Sequence, residues 1–412
     1  MALSVFSGDA AKVTEGLKDH YLPQRIKEMV YKNQPLLALM AKHESFGGDN
    51  MPIPIITTGP QRRSATFVTG QNNTSTSSMK RFLLTRARDY SFASIEHEAI
   101  RASKGDADAF VRYATMEIDG AIHSLKRSLG VGMYRDGSGS VGTITADPGT
   151  GTTFTLAVTD DVSNFEVGMS IVFAASNTAA LRAGGARTIS AINRVTGVVT
   201  VSAALDAAIL ADGSEDSVFQ AGDYVSASDR LKISGLEAWC PESAPSATAF
   251  FGVDRTTDVT RLGGQRSDGS AKPIEEALID GLSLVAREGG SPSHIFTDFT
   301  TYANLEKALG SKVIYDKVSA SDADIGFTSL KINSPSGAVD VIADINCQPN
   351  VAWALQLDTW MLASLDAAPH ILDLDGPNML REAAADAYEV RVGCYANVAC
   401  SAPGWNCRIK LA

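Results

Sequence analysis

Between residues 106 and 130 the side chains Val111, Ala114, Ile118, Ile122, Leu125 and Leu129 recur at intervals of three and four, which places them on one face of an α-helix. Asp106 and Asp108 stand at its start and Lys126 and Arg127 near its end, so the charges complement the helix dipole. Gly130 and Gly132 supply the expected stop. At ~1.5 Å per residue such a helix is roughly 35 Å long, well beyond the usual three turns. It reads as a girder, and nothing along it reads as the wall of a catalytic pocket.

The stretch before it is segregated in charge. Residues 61–88 carry Arg62, Arg63, Lys80, Arg81, Arg86 and Arg88 and no acidic residue, although the 412-residue chain has a formal net charge of -11. Residues 70–78 are almost wholly Gly, Gln, Asn, Ser and Thr, a composition that cannot build a core. Residues 51–58 and 82–85 are strand-like, so a long two-armed loop with basic arms and a polar tip is expected. Two readings stand beside each other: a solvated hairpin, or an arm laid over an acidic neighbour.

The length exceeds one ordinary domain, and 44% hydrophobic with 20% charged residues is a globular balance, so two or three lobes are expected. Net negative charge argues against a dedicated nucleic-acid binder, which needs a basic face to neutralise phosphates. Cys240, Cys347, Cys394, Cys400 and Cys407 are odd in number and contain no C-x-x-C pair. Neither a disulfide framework nor a zinc site is indicated, and Cys394 and Cys400 read as small buried hydrophobes on one face of a strand. No signal-like start and no apolar run near the ~20 residues of a membrane span occur, so the expectation is synthesis in the cytoplasm without a membrane partner.

Along the chain, short amphipathic helices are expected over 9–20 and 23–31, with a break at Gly47-Gly48. The segments are then 1–50, an N-terminal arm; 51–90, the loop and its flanking strands; 91–139, carrying the long helix; 140–230; 231–345; and 346–412. Residues 140–226 hold no lysine, three arginines and nine acidic residues. Alternation of Phe154, Leu156 and Val158, a shared face for Val167, Met169, Ile171 and Phe173, and Val199 and Val201 after a Thr196-Gly197 turn predict an inserted small β-sandwich or barrel. From about Leu231 the pattern becomes α/β. Pro273 opens a helix with Ile274, Leu278, Leu282 and Val285 on one stripe and a Gly289-Gly290 stop, and Asp298 caps a helix after a strand over 293–297. Late strands are expected over 351–357 and 389–400.

Catalytic signatures are missing. Gly137, Gly139 and Gly142 fit G-x-G-x-x-G but follow a helix where a dinucleotide site needs a strand, so they are read as a flexible hinge. There is no phosphate-binding G-x-x-x-x-G-K-[ST] run and no G-x-S-x-G elbow. Among His20, His43, His97, His123, His294 and His370 none has a second histidine three or four residues on, and His97-Glu98 is only half of a zincin motif. Asp373 and Asp375 before Gly376-Pro377 read as turn chemistry. The chain is therefore read as no enzyme, with no catalytic residue, metal or cofactor.

A short arm, a basic extended loop, a long helix, an α/β lobe and a closing β segment follow in this order. That order resembles the major capsid proteins of tailed double-stranded DNA bacteriophages. Local stations support it: Phe251-Gly252-Val253-Asp254-Arg255, the helix after Pro273 followed by Ile295-Phe296-Thr297-Asp298 and Tyr302-Ala303-Asn304-Leu305, and Ala402-Pro403-Gly404-Trp405-Asn406. The resemblance covers most of the chain apart from the acidic β insertion, and it implies an α+β, HK97-like capsid fold. In that fold the loop, here about residues 54–86, lies over an adjacent subunit. The helix is the spine of a peripheral domain, residues 231–345 form an axial α/β domain, and 346–412 return as closing strands.

The implied function is self-assembly into pentamers and hexamers of an icosahedral shell around the genome. On this reading Arg62, Arg63, Lys80, Arg81 and Arg86 make intersubunit contacts. The implied partners are further copies, a separate scaffolding protein, a portal, a decoration protein and packaged double-stranded DNA held without sequence-specific binding; the implied location is the virion capsid. Some members crosslink a loop lysine to a neighbour's asparagine, and Lys80 is the only lysine between His43 and Ser103. An ordinary uncrosslinked lysine is the preferred reading of it. The competing readings are an encapsulin-like bacterial compartment shell, an α/β enzyme using His294 and Asp298, and a secreted β-rich adhesin.

Overall fold

In a computed structural model of the chain, the described residues are 33–60, 62–73, 76–98, 107–145, 151–205, 216–224, 231–309, 315–319, 326–372, 380–382 and 385–412. Ile118, Ile122, Leu125 and Leu129 are all buried on one side of a single helix, Ala107–Tyr134, as their spacing requires. Its 28 residues make it about 42 Å long at ~1.5 Å per residue. The helix runs four residues past the expected stop. Gly130 lies inside it, where an added Cβ would come within 2.5 Å of Gln34 Nε2 and 2.6 Å of Asn346 Nδ2. That glycine serves close approach, and Gln34 Nε2 uses the gap to donate to the Lys126 carbonyl at 2.7 Å. The expected helices over 9–20 and 23–31, and the pair Asp373 and Asp375, lie outside the described residues.

The strand Ala87–Glu96 packs along the buried side of the helix and belongs to a six-stranded sheet. At the centre of that sheet is the 14-residue strand Ala387–Cys400. It pairs with Ala87–Glu96 along one edge and with Trp360–Ser364, His370–Ile371 and Leu380–Arg381 along the other. Cys394 and Cys400 are six residues apart on this strand, share its buried face and join the main core. All five cysteines are buried and free. Residues Leu36, Leu37, Met40 and Phe46 are buried in the same core, so the chain is already tied down well before the arm begins.

A seven-stranded mixed sheet separates two cores. Its strands run in the order Gln265–Asp268, Cys407–Lys410, Val351–Leu355, His294–Thr297, Gly337–Ala343, Gly326–Ser334, Tyr315–Ser319. Trp353, Leu355, Phe296 and Ile342 face the main core, while Ala352, Ala354, Ile295 and Val341 face a second core. Period-two alternation with both faces apolar is what a doubly covered sheet demands. The second core is closed by the helix Ile274–Arg287, with Leu278, Leu282 and Val285 on its buried stripe. It ends where Gly290 N reaches the Val285 carbonyl at 3.1 Å and Gly289 adopts φ +85°. Asp298 Oδ2 accepts from the amides of Thr300 at 2.9 Å and Thr301 at 3.0 Å, capping the helix Phe299–Leu309 as expected.

The insertion forms its own core around Phe154, Phe165, Ile171, Phe173, Val199 and Val218. Its six strands follow the order Ser140–Thr143, Ser217–Gln220, Ser170–Ala174, Arg187–Asn193, Val198–Val201, Thr153–Thr155. The two end strands then meet: Ile144 bridges Leu156, Thr145 N donates to Thr155 O at 3.1 Å and Ala157 N to Thr143 O at 2.8 Å. This closes the sheet into a small barrel, which removes its open edges. Of Gly137, Gly139 and Gly142, expected as a flexible hinge, the last lies inside the strand Ser140–Thr143 and the first two are tight turns. Both have positive φ, and a Cβ on them would press on Ser234 and on the Asp223 carbonyl. Arg135 Nη2 to Asp161 Oδ1 at 2.6 Å then ties the helix end to the barrel.

A buried carboxylate joins three elements. Asp344 Oδ2 accepts from the Tyr134 hydroxyl at 2.9 Å and the Leu36 amide at 3.5 Å, and Oδ1 accepts from Asn346 N at 2.9 Å and Nδ2 at 3.1 Å. Burial pushes this carboxyl above the usual aspartate range, although its donors act in the opposite direction. The folded chain thus holds this proton more tightly than the unfolded chain does. The group favours folding fully below the ordinary aspartate value, and that contribution is lost as the pH rises through the raised value. Asp344→Ala leaves the fully buried Tyr134 hydroxyl and Leu36 amide without their acceptor, at ~1–3 kcal/mol each, so a loss of roughly 2–6 kcal/mol is expected in the unfolding free energy from urea denaturation at neutral pH.

Candidate intersubunit surface

Met51–Thr58 and Ser78–Leu84 form a separate two-stranded antiparallel arm. Alternation gives it two unlike faces. On the inner face Ile53, Ile55, Phe82 and Leu84 enter the main core, where Phe82 meets Trp239 edge-on at 5.1 Å and Phe250 at 6.1 Å. The arm is bolted to its own subunit along this side: Leu83 N donates to Phe251 O at 2.9 Å and Arg261 Nη1 to Thr57 O at 2.7 Å. On the outer face Ile56 stands opposite Met79, and they are 63% and 64% exposed. The helix Phe67–Asn72 at the tip buries no residue, and its Phe67 is 83% exposed.

The five expected contact residues separate into two sets. Lys80 lies on the inner parity with Phe82, and its Nζ donates to Asp254 O at 3.0 Å and Thr257 Oγ1 at 2.7 Å within the same chain. Arg86 donates to Phe46 O at 2.6 Å and stacks over the Phe46 ring at 5.0 Å. Arg86 anchors the arm's root, and Lys80 holds its inner face nearer the tip. Arg62, Arg63 and Arg81 are exposed, and none has a side-chain partner among the described residues. Arg81 stands opposite Pro54 on the outer face, and Arg62 and Arg63 lie between the strand Met51–Thr58 and the tip helix.

A second exposed apolar surface lies on the six-stranded sheet, on the face turned away from the long helix. Tyr90 and Phe92 stack at 6.5 Å, Tyr395 meets Tyr90 edge-on at 5.7 Å, and Phe92 is 58% exposed. Arg88 stands at one end of this row, and Ser94 and Glu96 at the other. In sequence this face is easily missed, because Tyr90 and Phe92 alternate with the polar Asp89 and Ser91 and so read as the buried side of the strand.

A cavity of about 450 Å³ opens between the long helix and the barrel, lined by His123, Arg127, Val131, Glu166, Met169 and Lys232 among others. Its charges are spent on one another: Arg127 reaches Glu166 at 2.6 Å, and Lys232 reaches Asp89 at 2.9 Å and Asp223 at 3.1 Å. His294 and Asp298, the pair an enzyme reading would use, stand at opposite ends of the strand His294–Thr297, on the order of 13 Å apart at ~3.3 Å per residue. Burial lowers the His294 pKa, its Nδ1 sits 2.8 Å from Ser293 Oγ, and Asp298 is occupied as a cap. His97 pairs with Asp386 at 3.2 Å. Among the described residues no cluster of His, Cys, Asp or Glu could hold a metal, and no helix is long and apolar enough to cross a membrane.

No family model and no curated protein matches the chain. Several solved structures are similar to it. The capsid asymmetric unit of cyanophage A-1(L) is 11% identical with a TM-score of 0.46, over 92% of this chain and 92% of that one. The capsid of the native GTA particle is 10% identical with a TM-score of 0.44, over 90% and 88%. The satellite phage P4 procapsid is 8% identical with a TM-score of 0.41, over 94% and 99%.

Proposed function

We propose that this chain is a major capsid protein whose copies build an icosahedral shell around double-stranded DNA. The observation that carries the reading is the arm: it is rooted in its own core on one face and presents exposed apolar side chains together with Arg81 on the other. Such a surface is costly in water and gains from a neighbour. The long helix and the two cores supply a rigid body that many moderate contacts can hold in a lattice, where valency replaces single-contact affinity.

On this reading the copies group as pentamers and hexamers, assembled in the host cytoplasm with a separate scaffolding protein, a portal and a decoration protein. The negative net charge suits a wall that encloses DNA without gripping it. Electron microscopy of particles from cells expressing the chain with its scaffold tests the proposal. Uniform icosahedral shells are expected, with nuclease-protected DNA in mature particles. A chain that stays monomeric with scaffold present would sink it, and shells filled with protein cargo would favour the compartment reading.

A further inference from the structure

We propose that the cavity between the long helix and the barrel binds a small amphiphilic anion, a carboxylate or sulfonate on an apolar body, and that the bound molecule pins the barrel to the helix. The site lies within one chain, so it stands whether or not the copies assemble.

Three pieces of the chain that are distant in sequence wall this cavity. The helix Ala107–Tyr134 supplies Val131, the barrel supplies Val141 and Met169, and the segment returning from the barrel supplies Ile233. Val131 and Ile233 are buried, while Val141 and Met169 are half-buried against the barrel core. The space they enclose, about 450 Å³, falls inside the roughly 300–1,000 Å³ of small-molecule sites. One wall is also kept bare. Gly120 stands in the middle of the helix, exposed, and a Cβ on it would meet nothing within 4 Å. A glycine there weakens the helix without making room for any neighbour in the chain, so its bare backbone suits a group that arrives from outside.

Charge polarises the cavity. At one end Glu166 is shared by two guanidiniums, Arg127 at 2.6 Å and Arg194 at 2.9 Å, which leaves one positive charge in excess. These side chains are half-exposed, so this end is the mouth. At the other end Lys232 is clasped by Asp89 at 2.9 Å and Asp223 at 3.1 Å, an excess of one negative charge on largely buried groups. An anion is therefore drawn to the mouth and repelled from the inner end, and its apolar body is directed toward Val131 and Ile233. A guanidinium can hold two oxygens of a carboxylate or sulfonate at once. Arg135 lines the cavity as well, and its buried Nε has no partner among the described residues, so the wall still holds an unused donor. Because the walls belong to separate elements, a molecule between them is bound only by the folded arrangement and stabilises it.

The test is calorimetric titration of the full chain with decanoate, kept below its micelle concentration. A single saturable site per chain is expected, together with a rise in melting temperature. Decanesulfonate should bind likewise, and decyltrimethylammonium should show no saturable site. Arg127→Glu should weaken decanoate binding about tenfold or more, because it turns the excess charge at the mouth negative. Met169→Trp, which fills the cavity from its half-exposed wall, should abolish binding, and Arg62→Glu on the arm should leave it unchanged. Melting of each variant without ligand establishes that it is folded, and Arg127→Glu carries the test alone if Met169→Trp does not fold. A folded unsubstituted chain with no saturable site, a folded Arg127→Glu chain with full affinity, or a cation that binds as tightly as decanoate overturns the proposal. Failure of the chain to assemble would sink the shell reading and leave this site standing.

Discussion

A chain carrying Arg62→Glu, Arg63→Glu and Arg81→Glu is expected to fold normally and to lose nearly all closed particles. These three side chains are exposed and make no hydrogen bond or ion pair with the described residues, so their reversal leaves the monomer's core untouched. Surface substitutions of this kind usually change stability by less than about 0.5 kcal/mol. Each arm contact, however, would change from attraction to repulsion, on the order of 1–3 kcal/mol for three partly screened charges. That loss recurs at every subunit of a lattice, where even tenths of a kcal/mol per contact decide closure. Wild-type assembly should also slow as salt is raised. Sedimentation of the variant together with its thermal melt checks both halves, and normal particle yield would refute a role for these charges. Lys80→Glu and Arg86→Glu should behave differently, lowering the melting temperature of the monomer, because those side chains bind Asp254, Thr257 and Phe46 of their own chain.

Gly235→Ala is expected to be the most damaging single substitution in stability, costing more than about 4 kcal/mol. The chain returns from the barrel at this point and runs against the end of the long helix. A Cβ on Gly235 would overlap the carbonyl oxygens of Gly132 and Met133, and backbone atoms cannot swing aside as a side chain tip can. Gly235 N already donates to Arg135 O at 3.0 Å, and Ser234 N donates to Asn397 Oδ1 at 2.9 Å, so the register there is fixed from both sides. The neighbouring Trp239 would be displaced with it, together with its ring contacts to Phe82 and Phe250 at 5.1 Å each. Gly47→Ala is the matched control: nothing lies within 4 Å of its Cβ and its backbone is ordinary, so the urea midpoint should hardly move.

Much of this architecture could be read from periodicity. The spacing of Ile118, Ile122, Leu125 and Leu129 reports burial on one side and nothing else, and it located the helix well. Its end was misplaced because Gly130 carries the same letter whether it terminates a helix or lets Gln34 and Asn346 approach one. Three of the barrel's six strands were legible from alternation, around Phe154, Ile171 and Val199, although Val167, expected on the shared face, lies exposed before its strand begins. Closure depends on Ile144 meeting Leu156, a contact between segments whose pairing no local pattern encodes.

The candidate surface was half visible. Charge counting picked out the basic arm, yet it treated Lys80 and Arg81 alike. Strand parity would have divided them: Phe82 and Leu84 face the core, so Lys80 faces inward and Arg81 outward. Tyr90 and Phe92 gave a misleading signal, because they alternate with the polar Asp89 and Ser91 and so read as the buried side of their strand. An apolar surface left exposed looks, in sequence, the same as a core.

The barrel leaves and rejoins the body at nearly one point. Its first strand, Ser140–Thr143, pairs with its last, Ser217–Gln220, and a Cβ on Gly139 would lie 3.1 Å from the Asp223 carbonyl. Because entry and exit are neighbours, the span between them is topologically a pendant: a short linker could replace it, or a foreign domain with adjacent termini could take its place, without rethreading either sheet. A lineage of such chains can therefore exchange what it carries at this position while the two sheets and the arm stay as they are.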